Sequence, residues 1–218
     1  MKLTKEESAL ERQFSRACKD LCISSTNRTA LASTLAPLRN KHRVTRFHYA
    51  HSLRVGLLAR EIGRFTYHNE KPLFFAGVLH DLGKCQSPLE VLGKTDSWSD
   101  KDQKAMQAHV MDGYRILRGR FDVSAEIMLW HHKFQDEGYP KKLPPYLHKY
   151  RETTKLLIRE YGRLVALADV YDALHRTDAK HGKKIALTGK QIREKMFEFN
   201  PDRTTLVEAL YKAEIFAE

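Results

Sequence analysis

The segment PLFFAGVLHD, residues 72–81, constrains the fold most, because an apolar run ends directly on a histidine and an aspartate. Such a run belongs in a core, and burying an imidazole or a carboxylate without a partner is costly. The fold must therefore bring other polar side chains to His80 and Asp81. His51, His109, His131 and His132 also lie on apolar helical surfaces, and Asp169 sits among Leu164, Val165, Leu167, Ala168 and Val170. One histidine in such a place is usually a hydrogen-bonded core residue. Five of them with two carboxylates read together as one shared site, since a buried carboxylate needs a cation.

The framework carrying these residues reads as all-α. Apolar residues recur at helical spacing, as with Leu10, Phe14, Ala17 and Leu21 or Leu53, Leu57, Ile62 and Phe65, whereas strand-like alternation is scarce. The pattern predicts helices over 4–22, 27–39, 45–67, 72–83, 100–118, 122–133, 151–176, 188–198 and 203–216. Ser99 with Asp102 and Thr188 with Gln191 have the spacing of N-terminal caps. The turn-rich connections 84–98 and 134–145 each follow a histidine-bearing segment and are placed to rim one pocket. With 218 residues the chain fits one domain over 45–218 preceded by a helical arm over 1–44. That arm is amphipathic enough to pack on its own core or on a partner chain.

Composition excludes several classes. At 42% hydrophobic and 30% charged residues the chain is globular and not disordered. Its longest apolar stretches fall far short of the roughly 20 residues needed to cross a bilayer, so no membrane association is expected. The charged N-terminus lacks the apolar centre of an export signal, so the expected location is cytoplasmic. Three cysteines, Cys18, Cys22 and Cys85, are too few and too odd in number for a disulfide framework, and Cys18 and Cys22 read as small buried hydrophobes. A formal net charge of +11 favours an anionic partner, with phosphate the leading candidate.

Imidazole and carboxylate without sulfur suit one or two divalent ions of the Mn, Fe, Ni and Zn group. Asp81, adjacent to a ligand histidine, is the natural bridge, because a carboxylate can give one oxygen to each of two ions about 3.5–4 Å apart.

His51 followed by Ser-Leu-Arg-Val, the run His80-Asp81-Leu82-Gly83-Lys84, His109 with Gly113, the pair His131-His132, the Gly138-Tyr139-Pro140 loop and Asp169 in ADVYDAL form an ordered set. Together they resemble the HD-domain superfamily of metal-dependent phosphohydrolases, and within it the HD-GYP branch. The resemblance runs over roughly residues 45–215 and implies an all-α helical bundle. It implies that His51, His80, Asp81 and Asp169 hold one ion while Asp81, His109, His131 and His132 hold the second. It further implies that Lys84 faces substrate phosphate and acts with Asp81 in catalysis, that Tyr139 contacts substrate, and that Arg54 either supports the ligands or meets phosphate. A hydroxide between two such cations can attack phosphorus in line, and a basic rim of Arg115, Lys133, Lys141 and Lys142 can attract an anionic nucleotide.

The sequence departs from the branch at three places. Where three-metal members carry a glutamate one helical turn before the first histidine, this chain has Phe47, so two ions are expected. Lys133 follows His131-His132 where a glutamate is usual, and Asp136-Glu137 precede the Gly138-Tyr139-Pro140 loop in a shortened segment. The branch is associated with cyclic di-GMP hydrolysis, which makes that molecule a possible substrate. Other readings are a nuclease acting on single-stranded nucleic acid, a di-iron oxygenase on the same ligands, and a cyclic-dinucleotide sensor without turnover. The basic segment 146–163 reads as an extended helix with a solvated face.

Overall fold

The computed structural model describes residues 5–39, 42–94, 97–135, 137–175 and 186–217. Among these residues there are ten α-helices and no strand: α1 Lys5–Asp20, α2 Ser25–Leu35, α3 Arg43–Phe65, α4 Glu70–Leu79, α5 Leu89–Leu92, α6 Asp100–Leu117, α7 Asp122–Met128, α8 Glu152–Leu174, α9 Gly189–Glu198 and α10 Thr204–Lys212. The expected all-α architecture is the one observed. Both expected capping boxes form: Ser99 Oγ accepts from the Asp102 amide at 3.2 Å and Thr188 Oγ1 from the Gln191 amide at 3.3 Å, with each partner side chain returning a bond to the cap amide. Each box satisfies two amides left over at a helix start.

Four expected helices stop four or five residues early, at Leu35, Leu79, Met128 and Lys212, and two of these stops build the site. The helix over 72–83 stops at Leu79, after which Asp81 leaves helical geometry and a 3-10 turn runs over Leu82–Gln86. The helix over 122–133 stops at Met128, leaving His131 and His132 in turns. Neighbouring residues on a regular helix diverge by about 100°, so breaking the helix lets consecutive side chains converge on one point. The connection 84–98 also holds the short helix α5, which the sequence pattern did not predict.

The pair α3 and α4 forms the centre. They touch at Gly56 and Gly77, where a Cβ on Gly77 would stand 2.8 Å from the Gly56 Cα, so only hydrogen permits this approach. On one side α8, α9 and α10 close a core around Ile62, Leu164, Met196 and Leu210. On the other, α1, α2, α6 and α7 close a second around Leu31, Leu53, Phe74 and Leu117. The N-terminal helices thus pack on their own chain: Leu10, Ala17, Leu35 and Leu38 share the cluster of Leu53 and Phe74, and the Phe14 and Phe74 rings stack at 5.5 Å.

Three smaller expectations are corrected. Cys18 is buried, but Cys22 is exposed, because α1 ends at Asp20 and Cys22 turns away at φ +50°. The segment 146–163 is helical only from Glu152 onward. Within it Arg163 is 1% exposed and is bound by Asp202 at 2.7 Å and Asn200 at 2.9 Å, so it is a core cation and not part of a solvated face. No described helix is long and apolar enough to cross a membrane.

Candidate metal centre

All seven expected ligands meet. His51 comes from α3, His80 and Asp81 from the break after α4, His109 from α6, His131 and His132 from the turns after α7, and Asp169 from α8. His51, His80, Asp81, His109 and His131 are each 1% exposed or less.

The ring nitrogens show what the cluster is built for. His80 Nδ1 donates to the Gly77 carbonyl at 2.7 Å, His109 Nδ1 to that of Met106 at 2.5 Å, and His131 Nδ1 to that of Met128. A carbonyl only accepts, so each ring carries a proton on Nδ1 and turns Nε2 inward. These buried Nε2 atoms, together with His51 Nε2, His132 Nδ1 and Asp81 Oδ1, have no hydrogen-bond partner among the described residues. Polar atoms orphaned in this number are rare in a native core.

Their spacing fits an ion better than hydrogen bonds. His51 Nε2 stands 3.1 Å from Asp169 Oδ1 and 3.4 Å from Asp81 Oδ2. His80 Nε2 lies 3.4 Å from Asp81 Oδ2 and 3.6 Å from Asp169 Oδ1, and His109 Nε2 is 3.2 Å from Asp81 Oδ1. A charge-assisted bond would close to about 2.7–2.9 Å, whereas ligand atoms each about 2.1 Å from one ion stand roughly 3.0–3.4 Å apart. Asp81 turns Oδ2 to His51 and His80 and Oδ1 to His109, the division a bridging carboxylate requires. Two of the groupings able to hold an ion share it: His51, His80 and Asp81, and Asp81, His109, His131 and His132.

The protonation states suit ligation. Burial works against the charge on Asp81 and Asp169, but Lys84 and neighbouring histidines hold the Asp81 carboxyl, and His51 and His80 that of Asp169, well below the usual range. Burial pushes His109 and His132 down and His131 to about 3, which keeps them neutral. His80 differs: against its burial, the carboxylates of Asp81 and Asp169 raise it to about 10. A proton there competes with a cation for the same two carboxylates.

Around the ligands, Lys84 is 7% exposed and its Nζ bonds Asp81 Oδ2. The Tyr139 ring stacks on His132 at 4.5 Å, and Lys133 Nζ ties the same loop by donating to the Pro140 carbonyl at 3.1 Å. Arg54 is not turned to the ligand cluster. Its guanidinium forks onto Asp172, Nε to Oδ1 at 2.6 Å and Nη2 to Oδ2 at 3.1 Å. Arg115 stands apart, bound to Asp112 of its own helix at 2.7 Å with a 61% exposed side chain. Asp136 lies outside the described residues. Sequence reasoning missed Asp172, whose Oδ2 is 2.7 Å from His51 Nδ1. The available signal was its position three residues after Asp169, on the same face of α8.

The HD domain family profile matches residues 48–174, a span holding every one of these ligands. The chain belongs to the HD domain family. It is 36% identical over 126 residues to the 3'3'-cGAMP-specific phosphodiesterase 2 of Vibrio cholerae, covering 56% of this chain and 22% of that protein. It is 34% identical over 134 residues to a cyclic di-GMP phosphodiesterase of Thermotoga maritima, covering 58% and 34%. The chain therefore spans no more than about a third of these relatives. The fold is similar to that of the HD domain of the L. monocytogenes phosphodiesterase PgpH, with a TM-score of 0.54 at 18% identity, covering 79% of this chain and 84% of that one.

Proposed function

We propose that this chain is a metal-dependent phosphodiesterase that hydrolyses a cyclic dinucleotide, with two divalent ions held by the seven ligands. The observation that carries this reading is the inward set of unsatisfied ring nitrogens around a two-faced Asp81. Relatives that act on cyclic di-GMP and 3'3'-cGAMP support the substrate class.

A bound ion pair supplies activation of water near neutral pH and charge for the phosphoryl oxygens. The chain's own residues supply the rest. His51, His80, Asp81 and Asp169 hold one position and Asp81, His109, His131 and His132 the other. Phe47 offers no oxygen for a third. Lys84, held at Asp81, adds positive charge where the phosphoryl group loads negative charge in the transition state. Tyr139, stacked on His132, contacts the substrate. The +11 net charge raises the local concentration of an anionic nucleotide.

The test is chromatography of products after anaerobic reconstitution with Fe2+ or Mn2+ and incubation with cyclic di-GMP and, separately, 3'3'-cGAMP. Linear dinucleotide or mononucleotide formed by the parent and absent in Asp81→Ala is the expected result. No product from either substrate by protein carrying its ions would overturn the proposed substrate class.

A further inference from the structure

The four ligand histidines bonded through Nδ1 are not held alike. His80, His109 and His131 each donate to the backbone carbonyl three residues earlier. His51 Nδ1 faces a carboxylate, Asp172 Oδ2, at 2.7 Å. That carboxylate is buried and gripped from its other side by the Arg54 fork.

The spacing makes this a latch between two helices. His51 and Arg54 are three residues apart on α3, and Asp169 and Asp172 are three apart on α8, so each pair shares one helical face. The His51 ring is clamped between the two carboxylates, Nε2 at 3.1 Å from Asp169 Oδ1 and Nδ1 at 2.7 Å from Asp172 Oδ2. A charged acceptor behind a ligand imidazole fixes its orientation and strengthens its electron donation more than a neutral carbonyl does.

We infer that Asp172, held by Arg54, positions His51 and raises the affinity of the ion position containing His51, His80 and Asp81 above what its ligands alone would provide. The two metal positions are thereby made unequal. This rests on the metal-centre reading above and concerns positioning, since neither Asp172 nor Arg54 is placed among the ligands.

Titrating Mn2+ alone into the full chain, followed calorimetrically and by metal analysis, tests it. The parent should bind two ions. Asp172→Asn keeps the shape but removes the charge, and should weaken one ion about 10- to 100-fold while leaving the other unchanged. The weakened ion should be the one lost in His51→Ala and kept in His132→Ala. Arg54→Gln should weaken the same ion to a lesser degree, and it decides the matter if Asp172→Asn fails to fold. Two affinities at parental values in folded Asp172→Asn, or in Arg54→Gln where only that variant folds, would overturn the inference and leave the metal centre standing. A parent chain that binds no Mn2+ would instead overturn the metal-centre reading beneath it.

Discussion

Lys84 is a buried cation against a buried carboxylate, and in the proposed reaction it meets substrate charge. Removing one preorganised electrostatic contact of this kind costs about 10²–10³ in kcat. Lys84→Met should therefore slow product formation by that factor while the protein still carries its full complement of ions, read by initial rates beside metal analysis. Asp81→Ala should instead lose both metal and rate, because each of its oxygens faces a different set of histidines. The clustered histidines and aspartates were legible in the sequence because imidazoles and carboxylates stand out in apolar helical runs. Asp172 and Arg54 were harder to read, since a carboxylate and an arginine on helices have the same pattern whether they face solvent or each other.

The elements matter through where they end and how closely they touch. Gly83 lies in the 3-10 turn, and a Cβ there would fall 1.9 Å from the His109 carbonyl oxygen and 2.5 Å from the Gly113 nitrogen. Those are backbone atoms of α6, so the turn and the helix would have to separate. Gly83→Ala should destabilise the fold by about 1–3 kcal/mol and lower metal content by moving His109 from Asp81, checked by urea unfolding and metal analysis. At the start of α4, bonds from Arg64 and then Arg60 outweigh burial and hold the Glu70 carboxyl below its usual value. The bonded form is the ionised one, so this stabilisation is present above the unfolded value of about 4.3 and is lost as pH falls through the lower folded value. Below about pH 4.5 the parent should lose stability faster than Glu70→Gln in thermal melts across pH. Helix identity followed from apolar periodicity, but the ends of α4 and α7 did not, because leucine and valine continue a helical pattern whether or not the backbone does.

At the scale of the molecule, the described N-terminal residues 5–39 contribute to the core. Leu10, Ala17, Leu31, Leu35 and Leu38 are buried in the cluster that also covers Leu53 and Phe74, and ion pairs from Glu11 to Arg39 and from Asp20 to Arg60 fasten the edge. A chain lacking residues 1–39 should expose that apolar face and lose its cooperative thermal transition, measured by near-ultraviolet circular dichroism. A sharp transition at the parental temperature would contradict the packing. The periodicity of the first helix showed that it had an apolar face, but amphipathicity has the same form whether the covering surface belongs to the same chain or another.

By itself the sequence determined an all-α chain with five histidines and two aspartates destined for one buried site, because burial penalties and helical periodicity are local properties of residue order. Only the tertiary structure decided that α4 and α7 stop in time to aim consecutive side chains inward, that the N-terminal helices close their own core, and that Asp172 backs His51 at 2.7 Å. Those outcomes depend on which surfaces meet across as many as 121 positions of sequence separation. No local pattern encodes such a meeting, since it is set by the packing of all the helices at once.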